Sequence, residues 1–244
     1  YKGETVRPFH LLILSELKLY GTKANIFNFI GTFLMVTLLF LLFERFLYYF
    51  YSKLYSKVST YILSFFISSI VLIIARSLYP ITNIQFIDNL HFLIPVPLVA
   101  ITISLLLSPN IAMLSGTIIC LFISLMYQGD FYLFSYLFFS VCAATFASHS
   151  IFRRTDLIKA GNAIGLTNVI IVICIGLLRD INSIVWFLYN GIIGFGNGLI
   201  SAMVALAFLP YLESIFKITT SLGLLEQANL NHPLLKKLMV TAPG

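Results

Sequence analysis

Seven long apolar runs, at about residues 26–43, 58–75, 91–107, 111–127, 131–150, 161–178 and 184–209, constrain this chain more than anything else in it. Each is close to the ~20 residues that a helix needs to cross a hydrocarbon core about 30 Å thick. In that medium water cannot serve the backbone N–H and C=O groups, so such a run must close its own hydrogen bonds as an α-helix. Hydrophobic residues make up 59% of the 244 and charged residues 10%, against about 45–50% and 25% in soluble domains. The expected fold is all-α: a seven-helix transmembrane bundle, embedded as a multi-pass protein in a lipid bilayer.

Two of the seven runs need separate argument. Pro95 and Pro97 would break a soluble helix at the start of the third but are better tolerated in a membrane, and Ser108, Pro109 and Asn110 make a tight turn before the fourth. Fused, residues 91–127 would give about 55 Å of helix at ~1.5 Å per residue, too long for one crossing. They are therefore expected as two helices.

Cytoplasmic connections of membrane proteins are enriched in Lys and Arg. One alternating set carries six bases, Arg45, Lys53, Lys57, Arg153, Arg154 and Lys159, whereas the other carries two, Arg76 and Arg179, beside Asp88, Asp130 and Asp180. This puts the N-terminus outside and the C-terminus in the cytoplasm, in agreement with an odd number of spans. Residues 1–24 then read as the end of an extracytoplasmic domain, with a short helix opened by Pro8 and closed by Gly21. Residues 25–209 form the seven-transmembrane domain and 210–244 a cytoplasmic linker. In FRRTDLIKAG, Arg153, Arg154 and Lys159 form a basic loop at the inner surface, serving as topological charge or as a contact for anionic lipid or a cytoplasmic domain. The formal charge of +6 is not gathered on a soluble face, which argues against nucleic acid as a partner.

Catalysis needs convergent titratable groups, and here they are sparse. His10, His91, His149 and His232 are scattered, and no H-E-x-x-H spacing or His-Asp dipeptide occurs. Cys120, Cys142 and Cys174 lie singly in apolar runs and read as small buried hydrophobes. GFGNG, with Gly194, Gly196 and Gly198, fails the dinucleotide-binding spacing and sits inside a span, so close helix packing or a kink is expected there. The last run lacks the lysine that a retinal Schiff base would require. Arg76 and Arg179 are expected to anchor helix ends at the interface, where His91 and His149 also fall. Asn168, Asn190 and Asn197 lie deeper, and either bridge helices or line a ligand cavity.

The chain closes on a polar, well-punctuated stretch, LEQANLNHPLLKKLMVTAPG. Asn231 is a suitable N-cap and Pro233 falls in the first helical turn after His232. Leu234, Leu235, Leu238 and Met239 would form one apolar stripe, with Lys236 and Lys237 turned away. Burial of such side chains is worth roughly 1.5–3 kcal/mol each, so the stripe calls for a partner surface beyond Gly244.

Residues 209–244, LPYLESIFKITTSLGLLEQANLNHPLLKKLMVTAPG, resemble the junction in bacterial seven-transmembrane receptors with an intracellular HD-type phosphohydrolase. A last span there runs into Leu-Pro-x-x-Glu, found here from Leu209 through Pro210 to Glu213. It continues through a Phe-x-x-Thr-Thr turn, matched by Phe216, Thr219 and Thr220, and a Leu-Leu-Glu stretch at Leu224, Leu225 and Glu226. Asn-His-Pro-Leu-Leu from Asn231 to Leu235 and Ala-Pro-Gly at the end complete the pattern. FRRTDLIKAG with IGLTN is similar to the loop before the sixth span, and KGETV with LSELKLYG is similar to the end of the family's extracytoplasmic domain. Gln227, where an apolar residue is usual, and Thr241, where Glu is usual, depart from the pattern.

The resemblance implies an intact protein of the bacterial cytoplasmic membrane that hydrolyses cyclic di-AMP with divalent metals held in an HD domain following Gly244. It implies no catalytic or metal-binding residue, and no cofactor, within these residues. The partners implied are the bilayer and the protein's own extracytoplasmic and HD domains, with homodimerisation left open. Pro210, Glu213, Phe216, Thr219, Thr220, Leu224, Leu225, Asn231, His232, Pro233, Leu234 and Leu235 would form the signal-coupling linker. The rival readings are a small-molecule transporter or channel, which a cavity lined by Asn168, Asn190 and Asn197 would favour, and a passive anchor. No fixed-period repeat or matched pair of interrupted helices supports a carrier.

Overall fold

The structure, a computed structural model, describes residues 26–51, 58–82, 90–149, 151, 153–218, 220 and 223. In order they form α1 (Ile26–Phe50), α2 (Val58–Thr82), a 3-10 turn (Leu90–Leu93), α3 (Val96–Leu106), α4 (Pro109–Met126), α5 (Phe131–Ser148), α6 (Arg154–Leu178) and α7 (Ile184–Phe216). Among the described residues there is no strand. Six of the helices are long and apolar enough to cross a membrane, and a shorter apolar stretch, Leu90–Leu106, accompanies them. The chain is a multi-pass helical membrane protein.

The chain divides into two units, with the boundary inside α1 after Arg45. In the first, residues 26–45 are one helical run with Leu39 buried and Phe33, Leu34, Phe40 and Leu42 exposed. The second, residues 46–244, holds the bundle core. At its centre is α3, which packs against α2, α4, α5 and α7 and buries ten of its eleven residues, all but Leu105. Eleven residues rise only about 16 Å, half the ~30 Å of a hydrocarbon core. The third run is therefore not the single helix expected over 91–107. Pro95 and Pro97 lack the N–H groups that a continuous helix would use, so the chain makes a 3-10 turn, pauses, and starts again at Val96.

The other helices start and stop where local chemistry directs. The Ser108 hydroxyl accepts from Ile111 N at 3.4 Å with Pro109 in the first turn, which separates α4 from α3 as the sequence predicts. Gln128 and Gly129 take positive φ in the turn after α4, and Asp130 then caps α5 through Tyr132 N at 2.8 Å and Leu133 N at 3.2 Å. Ser183 caps α7 by accepting from Trp186 N at 3.4 Å. The sixth run begins earlier than the expected residue 161. The Asp156 carboxylate accepts from Arg153 N at 3.0 Å, and this half of a capping box starts α6 at Arg154. Arg153, Arg154 and Lys159 are accordingly a cap and the first two turns of a helix, not the loop that was expected.

The tightest pairing joins α6 and α7. The buried face of α7 carries Asn190, Gly191, Gly194, Asn197, Gly198, Ser201, Ala202 and Ala205, small or amide side chains recurring at helical period. Opposite lie Gly161 and Gly165 of α6. A Cβ at Gly198 would stand 2.8 Å from Gly165 Cα and 2.9 Å from the Gly161 carbonyl oxygen. Between lipid-immersed helices no hydrophobic gain favours association, so close backbone approach of this kind, with its dispersion contacts, supplies it. The bulky side chains face outward: Phe65, Ile73, Phe146, Ile192 and Met203 are all exposed. Gly194 lies against Asn168 and Gly198 against Gly165, whereas nothing lies within 4 Å of a Cβ at Gly196. Of the cysteines only Cys120 is fully buried; Cys142 is half-buried and Cys174 exposed, because α6 turns Cys174 away from α7.

Gly198→Leu is expected to destabilise the purified protein by about 1–3 kcal/mol through overpacking, read as a lower midpoint in detergent unfolding. Gly196→Leu, made into open space, should leave the midpoint at or above the wild-type value.

Candidate functional site

The described residues gather their polar chemistry in three places. The first is the break before α3. In a continuous helix the Phe92 carbonyl would accept from Val96 N, but Val96 N donates instead to the Ile94 carbonyl at 2.8 Å. Phe92 O is taken up from outside its segment by Tyr136 of α5, whose hydroxyl donates at 2.8 Å, and by Asn197 of α7, whose Nδ2 donates at 3.0 Å. The same amide donates to Ile94 O at 3.0 Å and to the Tyr136 hydroxyl at 3.3 Å. Ser201, one turn on, donates to Asn197 Oδ1 at 3.2 Å. Both Tyr136 and Asn197 are buried, so each contact replaces a bond that the apolar interior cannot provide.

Of the three deep asparagines, Asn197 and Asn168 bridge helices. Asn168 Nδ2 donates to Gly194 O of α7 at 3.0 Å. Asn190 does not bridge: its Nδ2 turns back on its own helix to Trp186 O at 2.8 Å. The amide donors of all three are thus committed to backbone carbonyls. His91 is buried, its ring 4.3 Å from that of Phe92.

The second place is the end of the bundle where α5 begins and α6 finishes. Arg179 donates to Asp130 Oδ2 at 3.0 Å and lies over the Tyr132 ring at 4.4 Å from its centroid. Asp130 therefore caps one helix and anchors the end of the next. Both side chains are about a third exposed, so the pair contributes in the ~0–1 kcal/mol range of exposed ion pairs. Arg76 makes a similar arrangement with Tyr79, at 5.5 Å.

The third place is the exit of α7, where the expected linker begins. The helix continues through Pro210, which has no N–H to offer the Leu206 carbonyl, and ends at Phe216. Lys217 then takes a left-handed conformation, φ 52°, and its N–H with that of Ile218 (3.2 Å) closes on the Glu213 carbonyl. The Glu213 carboxylate completes the turn: Oε1 accepts from Thr220 N at 3.1 Å and, in a shorter bond, from the Thr220 hydroxyl. Gly223 N donates to Thr220 Oγ1 at 3.1 Å. The Glu of Leu-Pro-x-x-Glu and the final Thr of Phe-x-x-Thr-Thr are thus two halves of one cap. Thr219, Leu224, Leu225, Asn231, His232, Pro233, Leu234 and Leu235 lie outside the described residues. Among those described, no group of three or more His, Cys, Asp or Glu side chains is placed to hold a metal ion.

Sequence reasoning missed Tyr136, the Asp130–Arg179 pair and the glycines of α6. The glycines had a visible signal: Gly161 and Gly165, like Gly194 and Gly198, stand four apart, the small-xxx-small spacing of membrane helix pairs. Nothing local marks Tyr136 among thirteen tyrosines, because its acceptor lies 44 residues away.

Comparison with known proteins agrees with the helical architecture. A family model described as "7TM receptor with intracellular HD hydrolase" matches residues 26–220. The chain is 26% identical over 246 residues to the cyclic-di-AMP phosphodiesterase PgpH of Bacillus subtilis (strain 168), covering 95% of this chain and 34% of that protein. It is 30% identical over 193 residues to the protein of the same name from Listeria monocytogenes serotype 1/2a (strain 10403S), covering 76% of this chain and 25% of that protein. The chain thus spans about a third or less of the length of these relatives. No solved structure matches it.

Asn197→Leu is expected to leave the Phe92 and Ile94 carbonyls short of donors and to cost about 1–3 kcal/mol of stability. Tyr136→Phe, which removes the hydroxyl's bond to the Phe92 carbonyl and the one it accepts from Asn197, should cost about 1 kcal/mol, at an average of about 0.6 kcal/mol for each such bond in a membrane. Detergent unfolding midpoints of the two variants, and of the double variant, check both figures.

Proposed function

The chain belongs to the family of 7TM receptors with an intracellular HD hydrolase, and on that premise we propose that it is the membrane sensor region of a cyclic-di-AMP phosphodiesterase. In this reading it relays a signal through α7 to a cytoplasmic HD hydrolase domain. The two relatives' names support the substrate, and the family description supports an intracellular HD hydrolase domain, which in this reading carries out the hydrolysis with divalent metals. The protein sits in the bacterial cytoplasmic membrane with its N-terminus and an extracytoplasmic domain outside. The distribution of Lys and Arg supports this orientation, as it puts Arg153, Arg154 and Lys159 inside.

One observation carries the relay: α7 is unbroken from Ile184 to Phe216 and is tied at its end, through Glu213, to Thr220. Its 33 residues would rise about 50 Å, well beyond a core of ~30 Å. A displacement of α7 against α6 inside the bundle would therefore emerge at the Glu213 cap and reach whatever follows it. Asn197 and the glycine seam give α7 defined neighbours to move against. Pro210 lies between the membrane part and the cap and supplies a compliant point.

In the full-length protein, Glu213→Ala is expected to change the rate of cyclic-di-AMP hydrolysis in membranes by about fivefold or more, the lower end of the 1–3 kcal/mol usual for coupling between sites. Rates for Glu213→Ala and Thr220→Val that both equal wild type, with equal protein levels, would remove the cap from the relay. Replacement of residues 26–209 by an unrelated membrane anchor separates relay from anchorage, because only a passive anchor keeps the wild-type rate after that exchange.

A further inference from the structure

At Gly161 a Cβ would stand 2.8 Å from that of Ala202, and from this close contact towards the start of α6 the two helices enclose a groove of about 470 Å³. Side-chain size makes the groove: Ile158 of α6 and Met203 and Leu206 of α7 stand along it, whereas Ala202 and Ala207 contribute only a methyl each. The volume falls within the ~300–1,000 Å³ of small-molecule sites. Ile158, Met203 and Tyr211 of the lining are half or more exposed, as are Ile200, Phe208 and Ile215 beside them on α7. The groove is therefore continuous with the outer apolar face of the helices, which in a multi-pass membrane protein meets hydrocarbon.

We propose that the groove holds one acyl chain of a bilayer phospholipid and selects it by the chain, not by the headgroup. The lining contains no acid, and its one base, Arg154, already interacts within the chain, so a headgroup finds no dedicated partner there. A helix about 10–12 Å across would place only single side chains in the groove, and an extended peptide would leave its N–H and C=O groups unsatisfied among these side chains. A methylene chain needs no polar partner. The surrounding lipid is as apolar as the walls, so no hydrophobic gain favours the groove. What favours it is dispersion: a chain lying there is touched from the α6 side, the α7 side and the alanine floor, whereas a chain on a flat helix face is touched from one side only.

The test uses the full-length protein purified in a neutral detergent, with lipid retention counted by native mass spectrometry after incubation with dipalmitoyl-phosphatidylcholine, dipalmitoyl-phosphatidylglycerol or dioctanoyl-phosphatidylcholine. The two dipalmitoyl lipids should be retained alike and the dioctanoyl lipid about fivefold less, the equivalent of ~1 kcal/mol. Ala207→Phe, which fills the groove from an exposed position, should lower retention of both dipalmitoyl lipids by a similar factor. Ile170→Phe, on an exposed face of α6 outside the groove, should leave it unchanged. Wild-type retention by Ala207→Phe would overturn the proposal, and so would an equal loss in Ile170→Phe, which would mean annular lipid only. A larger difference between the two headgroups than between the two chain lengths would overturn it as well. If Ala207→Phe lowers the melting temperature in detergent, Tyr211→Ala, which removes an exposed ring from the lining, decides in its place: lower retention supports the site and wild-type retention overturns it. Retention is read without reference to hydrolysis, so its failure and a failure of the relay remain distinguishable.

Discussion

A helix that breaks inside a membrane protein must find partners for the carbonyls it frees, and the bundle is organised around one such break. Pro95 and Pro97 remove two donors from the segment leading into α3. The Phe92 and Ile94 carbonyls are then satisfied by Asn197 and Tyr136, which reach them from α7 and α5. In water those carbonyls would simply be hydrated. In an apolar interior they hold three elements at one point, and they allow a helix of half length to be enclosed on nearly all sides.

A short central helix leaves α6 and α7 free to pair along most of their length, and they do so through absence of side-chain bulk rather than through its presence. Gly161, Gly165 and Gly198 bring the backbones together, and Asn168 adds one hydrogen bond across the seam to Gly194. Along this seam the buried face of α7 carries glycine, alanine, serine and asparagine, whereas large apolar residues of the same helix, such as Ile192 and Met203, lie on the outside. The same face of α7 thus serves both the α6 seam and the α3 break. A helix constrained on one face by close packing and directional bonds moves as a body, the property that the proposed relay requires of it.

At its exit, α7 trades one kind of constraint for another. Pro210 forgoes a helical hydrogen bond, and seven residues later the chain leaves the helix through a lysine in a left-handed conformation. That conformation is unfavourable for a side-chain-bearing residue, and Glu213 offsets it by holding Thr220 with its carboxylate while its carbonyl takes two backbone N–H groups.

Hydropathy pointed to an all-α chain and located seven apolar runs, each of which contains a helix, because a run of about 20 apolar residues can satisfy its backbone within itself in lipid only as an α-helix. The turn at Ser108, Pro109 and Asn110 was legible as a helix boundary, whereas the caps formed by Ser108 and Asp130 were not read, although each depends on a hydrogen bond from a backbone N–H only two or three residues away. The Glu213 and Thr220 motifs were visible as a pattern, though not as a contact. What hydropathy could not decide is which face of each helix turns inward, since the lipid-facing and buried sides of α7 are both apolar on that scale; the small-residue period carried that information. Only tertiary structure decided that the third segment is half a helix, that Asn197 reaches residues more than a hundred positions away while Asn190 stays on its own helix, and that Arg179 meets Asp130. Each of these is settled by where backbone and polar groups lack a local partner, and the search for a distant one is resolved by packing rather than by spacing along the chain.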